Sequence, residues 1–235
     1  MLFRSRRGNG VWAWNVGQLL GRIEVFTGRR VVAITTGPGL DPPDAVKALF
    51  AGTVHEFIEV PNDPALREVA SFEPLFSRVA NDDPNQITFF GHAKGVTKDV
   101  GGGSAVFPWV SILYESCLDY LPLVESVLTD YAFAGSLRKL GRCFDSRGMG
   151  NWHYAGSFCW MRNCKVFGEH WRTIDPTWWG IEAWPSVHFG PDEAGLLFHE
   201  AQADRMEPYL WEYLTTTLQP EFARWKTLHA RHRGR

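Results

Sequence analysis

Apolar positions along the first ninety residues alternate between helical and strand spacing. Val16, Leu19, Leu20, Ile23 and Phe26 recur at helical intervals and Gly28 stops the run. Val31 to Ile34 is then short, continuous and β-branched, the pattern of a strand buried on both faces. Gly37, Pro38, Gly39, Asp41, Pro42 and Pro43 predict a loop, Asp44 to Phe50 a short helix, and Val54 to Val60 an alternating strand. Val69, Phe72, Phe76 and Val79 mark a second helical stretch, bent near Pro74. A turn over Asn81 to Asn85 then leads into a third strand, Gln86 to Phe90. Strands alternating with helices predict an α/β fold with a mainly parallel sheet flanked by helices, in which ligands sit beyond the carboxyl ends of the strands.

The remaining pattern is more helical. Leu113, Cys117 and Leu121 share one face of a predicted helix from Trp109 to Tyr120, and Pro122 opens the next, with Leu123, Val124, Val127 and Leu128 as its core face. A strand at Tyr131 to Gly135 and a glycine-spaced loop from Gly141 to Gly150 precede an aromatic, strand-like run from Trp152 to Met161. Two closing helices are expected, Glu207 to Leu218 and Glu221 to about His232, the second with Phe222, Trp225 and Leu228 inward. No repeat or linker divides the chain, so residues 1–235 read as a single domain, with 207–235 a helical C-terminal extension.

Composition narrows the function classes. The 235 residues carry 24 basic and 26 acidic side chains, a net charge of -2, which gives no general pull toward nucleic acid. The basic cluster Arg224, Lys226, Arg231, Arg233 and Arg235 reads as a solvated helix end. No apolar run reaches the ~20 residues of a membrane helix, and the basic start, Met1 to Arg7, has no apolar signal core. The expected location is cytoplasmic, or peripheral to the inner face of a membrane. Cys117, Cys143, Cys159 and Cys164 form no CxxC pair and read as buried reduced thiols. Of 11 tryptophans, Trp152, Trp160, Trp171, Trp178, Trp179 and Trp184 crowd into one stretch, where rings serve as core filler or as stacking surfaces for sugars and bases.

Three constellations carry candidate chemistry. Gly91-His92-Ala93-Lys94-Gly95-Val96-Thr97-Lys98 follows the third strand and joins an imidazole and a fixed cation to glycines that admit a ligand to the backbone. A diphosphate suits it; a basic surface loop with a core-facing His is the plainer reading. Neither GxxxxGK[ST] nor GxGxxG opens a helix here, which argues against P-loop and Rossmann nucleotide sites. Asn151 to Trp160 alternates large rings with small residues, so that one face could stack on a sugar while Gly156 and Ser157 admit its hydroxyls; a buried strand is the alternative. Ser157 lies outside any GxSxG elbow, which gives a serine hydrolase little support. Trp178-Trp179-Gly180-Ile181-Glu182-Ala183-Trp184 surrounds one carboxylate with rings, an environment expected to raise its pKa toward that of a general base. Asp192 and Glu193 fit the first turn of a helix, and His199 fits a satisfied core histidine.

Phe89 to Thr97 resembles the strand and H-x-K-G-V loop of a bacterial and viral group of glycosyltransferases, and is distantly similar to a stretch of rhamnan-synthesis proteins. Trp152 to Trp160 resembles that group's HFSGNFWW segment, and Gly180 to Trp184 its YEAEMW segment. The resemblance implies the nucleotide-sugar fold called GT-A, and transfer of a sugar from a nucleotide-sugar donor to a hydroxyl acceptor in glycan or polysaccharide assembly. It implies donor binding by His92, Lys94 and Gly95. On the acceptor side it implies Trp152, Tyr154, Gly156, Ser157 and Trp160, with Glu182 as the base of an inverting reaction. Charge on the leaving diphosphate needs a cation, supplied by a divalent metal, manganese or magnesium, or by protein side chains. The chain departs from the group in having no Asp-x-Asp triplet; Asp82-Asp83 precedes its strand instead of following it. It departs also in a short, basic opening where a GT-A domain starts with a buried strand, so the first strand is expected to be abbreviated or missing. Two other classes are compatible with these residues: an inert carbohydrate- or nucleotide-binding module of the same fold, and a partner-binding domain anchored by exposed tryptophans.

Overall fold

Val31–Thr36 (β2) explains its own apolar run. In a computed structural model describing residues 2–4, 10–50, 52–96, 104–141 and 150–230, this strand is buried on both faces. Its alternate side chains enter two cores. Val32 and Ile34 pack with Val11–Leu20 (α1), Pro43–Phe50 (α2) and Val106–Leu118 (α4), while Val31 and Ala33 pack with the rings of Phe72–Phe76 (α3). Leu2–Arg4 (β1) and Glu56–Pro61 (β3) flank β2 in a parallel sheet of order β1-β2-β3. The predicted bend near Pro74 is the junction of a 3-10 turn, Arg67–Ser71, with the short α3.

The second sheet corrects the expectation of a mainly parallel one. Ile87–Phe90 (β4) runs antiparallel to Cys159–Arg162 (β7), which runs antiparallel to Phe133–Leu140 (β5). Trp152–Tyr154 (β6) is antiparallel to the far end of β5, and only Ala194–Gln202 (β8) pairs with β5 in parallel. The fold is α/β with one parallel and one mixed sheet. The aromatic run from Trp152 to Met161 is not one strand but two, parted by a turn in which Gly156 and Ser157 both take positive φ, 98° and 54°. Glycine tolerates that conformation; a serine there stores strain of about 1 kcal/mol.

Between the sheets α4 is buried nearly all round, and Leu121–Asp130 (α5), opened by Pro122, packs on β5 and β8. Asn163–Val166 (α6) follows β7, and Gly180–His188 (α7) covers the β6 side. Asp192 and Glu193 do lie in a first turn, that of a single 3-10 turn opened by Pro191 that feeds β8 and goes no further. The two closing helices merge into one, Trp211–Tyr213 (α8) and Gln219–Ala230 (α9) joined through a π turn at Leu214–Leu218. The wide turn sits just before Pro220, which has no N–H to offer the tighter ladder. Residues 207–210 precede this helix, and His232 lies outside the described residues. Phe222 is buried and Trp225 donates its indole N–H to Leu197 O, but Leu228 is 67% exposed, contrary to expectation. Cys117 and Cys159 are buried thiols and Cys164 is exposed; Cys143, like most of the Gly141-to-Gly150 loop, lies outside the described residues. No helix among the described residues is long and apolar enough to cross a membrane.

Candidate functional site

The strand register delivers the first contact. Phe90 at the end of β4 stands opposite Cys159 at the start of β7, so His92 arrives two residues on beside the Gly156-Ser157 turn. Its Nε2 donates to Gly156 O at 3.0 Å. Its Nδ1 faces Glu68 Oε1 at 3.7 Å, an acidic partner that the sequence pattern did not single out, from the turn following β3. Burial alone would raise the Glu68 carboxyl, but the neighbouring His92 imidazole, with Lys94 beyond, brings it down to about 2. The segments after β3 and β4 therefore meet at the carboxyl ends of their strands, where an α/β site is expected.

Lys94 is held by its backbone and spent at its tip. Asn15 on α1 donates its amide to both Val11 O and Lys94 O, at 2.8 and 3.2 Å, and receives the Tyr114 hydroxyl from α4 at 2.9 Å. This buried network fixes the loop; its members are 79 and 99 residues apart in sequence, with no local signal to announce them. Gly95 turns the chain at φ 87°, and a Cβ there would stand 2.3 Å from Val106. The Lys94 ammonium donates to Glu182 Oε1 at 3.1 Å, with side-chain exposures of 18% and 20%, and lies 5.5 Å from the centre of the Trp109 ring.

Glu182 occupies the first turn of α7, whose start packs so closely that a Cβ on Gly180 would fall 2.1 Å from Asp175 O. Its environment reverses the sequence expectation. Burial pushes the carboxyl up, yet Lys94, His153 and His92 outweigh it, and the pKa is lowered. Aromatic neighbours exclude water, but the cation brought by the distant loop decides the charge state. His153 on β6 completes the cluster.

Its imidazole is pushed down to about 4, chiefly by burial, against an upward pull from Glu182. Since an unfolded His titrates near ~6.5, the neutral form contributes stability that is complete above that pH and lost as pH falls through about 4. The full loss is about 3 kcal/mol, and urea unfolding at pH 7, 5.5 and 4.5 is expected to show it. His153→Gln should flatten this part of the decline; the same slope in the variant would mean that His153 is not a buried neutral group.

The aromatic acceptor platform is corrected. Trp152, Tyr154 and Trp160 are buried at 1%, 2% and 3% exposure. Their polar tips bind backbone: Trp152 Nε1 donates to Phe189 O, Tyr154 Oη to Gly195 O and Trp160 Nε1 to Cys117 O. These rings are core filler that shapes the Gly156-Ser157 turn from behind. The exposed ring at this end is Trp178, 42% accessible, stacked on Trp179 and covered by the Arg67 guanidinium at 4.4 Å. His199 is satisfied between Glu221 and Tyr213, away from the cluster.

A cavity of about 1030 Å³ runs along β4, lined by Phe26, Phe76, Ile87, Phe89 and Trp160. None of His92, Lys94 or Glu182 reaches it. Its three arginines are tied up in structure, Arg29 and Arg78 on Glu56, and Arg162 on Leu128 O and Pro84 O, and Glu24 and Glu125 also line it. The interacting titratable groups gather instead around Lys94. Asp83 accepts from Asn85 N in its turn, and among the described residues no three His, Cys, Asp or Glu side chains converge where a cation could be held. The protein matches no known family model, no curated protein and no solved structure.

Proposed function

We propose that the protein transfers a glycosyl group from a nucleotide-sugar donor to a hydroxyl acceptor, on a scaffold of GT-A type, in glycan or polysaccharide assembly. The observation that carries this reading is the Lys94–Glu182 pair, a base and a cation side by side, each about one-fifth exposed, at the carboxyl end of β4. In the resting protein each silences the other. A donor diphosphate offers Lys94 a stronger partner, with His92 beside it. Glu182, relieved of its cation in a largely buried setting, then becomes more basic as the substrate arrives.

The step balances without a further reagent. The acceptor hydroxyl gives its proton to Glu182, its oxygen forms a bond to the anomeric carbon, and the bond from that carbon to the diphosphate breaks. The electron pair leaves on the nucleoside diphosphate, whose charge Lys94 and His92 offset. The described residues do not fit a divalent cation, so no step is routed through one. An inert sugar- or nucleotide-binding module is the second reading, and the lowered pKa of Glu182 favours it in the absence of ligand.

A thermal-shift panel of nucleoside diphosphates and nucleotide sugars, with and without manganese, tests the proposal. A selective rise in melting temperature with one nucleotide is expected, since a ligand bound only by the folded chain stabilises it. No shift with any donor would remove the transferase reading.

A further inference from the structure

Two buried polar atoms beside the Lys94–Glu182 pair have no hydrogen-bond partner in the structure, the indole Nε1 of Trp109 and the hydroxyl of Ser157. Their residues are 4% and 7% exposed. Interiors seldom leave such groups unsatisfied, because each then costs its full desolvation with no return.

Trp109 adjoins Lys94, and Ser157 adjoins Glu182. Trp109 lies under the Lys94 ammonium, and its Cζ2 is 3.6 Å from the point where a Cβ on Gly156 would stand. Since Cζ2 and Nε1 share one carbon neighbour, the N–H edge borders the Gly156-Ser157 turn. Ser157 and Glu182 are the polar edge of a small cavity of about 20 Å³, room for one oxygen, walled otherwise mostly by apolar side chains such as Phe72, Phe90 and Trp184. Ser157 is set there by its left-handed backbone, φ 54°.

Donors and acceptors define what these groups can bind. Trp109 Nε1–H only donates, Glu182 only accepts, and Ser157 does either. An anion beside Glu182 would meet a like charge and bring it no proton, and a hydrocarbon would satisfy none of the three. Two neighbouring hydroxyls satisfy all of them: one donates to Glu182 and accepts from Ser157, and the next accepts from Trp109. We propose that Trp109, Ser157 and Glu182 form a subsite for the vicinal diol of a sugar ring, the acceptor. The hydroxyl between Ser157 and Glu182 is the one that attacks. Only that last assignment rests on the transferase reading.

The test uses methyl pyranosides of glucose, galactose, mannose, xylose and rhamnose at 100 mM with the full chain. At least one is expected to raise the melting temperature of the wild type by about 3 °C, as a dissociation constant on the order of 10 mM requires. Ser157→Ala should melt at or above the wild-type temperature without sugar and lose most of that shift. Replacement of Trp109 by 3-benzothienylalanine, which keeps the ring and deletes the N–H, should do the same. Shifts retained in both variants, no shift of the wild type by any pyranoside, or a Ser157→Ala variant that melts well below the wild type would each overturn the subsite. A chain that binds pyranosides in this way but no nucleotide keeps the subsite and loses the transferase reading; the converse result does the opposite.

Discussion

Glu182→Gln is expected to lower glycosyl transfer by about 10²–10⁴-fold, the usual contribution of a positioned base, while donor affinity is kept or improved, since Lys94 no longer has a carboxylate to leave. Glutamine keeps the size of the side chain and its hydrogen bond from Lys94, but cannot take up the acceptor proton. The loss should therefore appear in turnover and not as a raised Michaelis constant for the donor. Lys94→Met should show the reverse emphasis, with donor binding weakened first. Transfer by Glu182→Gln at the wild-type rate would remove Glu182 from the role of base.

The second large effect concerns stability. Lys94→Met leaves the Glu182 carboxylate in an aromatic shell without its cation, and should cost about 3 kcal/mol, the low end for a broken buried pair because a fifth of each side chain still reaches water. In a chain of this length that is a fall of roughly 6–12 °C in melting temperature. Combining Lys94→Met with Glu182→Gln should recover most of the loss, since no charge is then stranded. The exposed Lys47–Glu59 pair is the control. Lys47→Met should leave the melting temperature almost unchanged despite its shorter 2.6 Å contact, because solvent screens it. A double variant no more stable than Lys94→Met alone would show that Lys94 supports the loop through packing and not through Glu182.

The α/β alternation, the buried strand at Val31, the helix opened by Pro122 and the His92–Lys94 loop are legible in sequence because each is dictated by local periodicity or turn chemistry. Strand direction is not local. Gln86 to Phe90 reads as one more parallel strand, and its antiparallel pairing is settled by β7, some seventy residues away. The same limit explains the site. Glu182 is visible as a carboxylate among rings, but the sign of its pKa shift comes from Lys94, 88 residues distant. Glu68 and Asn15 carry no motif, and only folding brings them to His92 and Lys94. The tryptophans mislead for a different reason. A ring that fills a core and a ring that stacks on a sugar look alike in sequence, and Trp152 and Trp160 prove to be core.

The central claim is that a diphosphate draws Lys94 away and thereby raises the basicity of Glu182. It is tested most directly by calorimetric titration of the nucleoside diphosphate that gives the largest thermal shift, at pH 5.5 in two buffers of different ionisation heat. The account predicts proton uptake on binding by the wild type, as Glu182 moves from its lowered pKa toward a raised one, and its disappearance in Glu182→Gln. Tight binding with the same proton exchange in both proteins would contradict it.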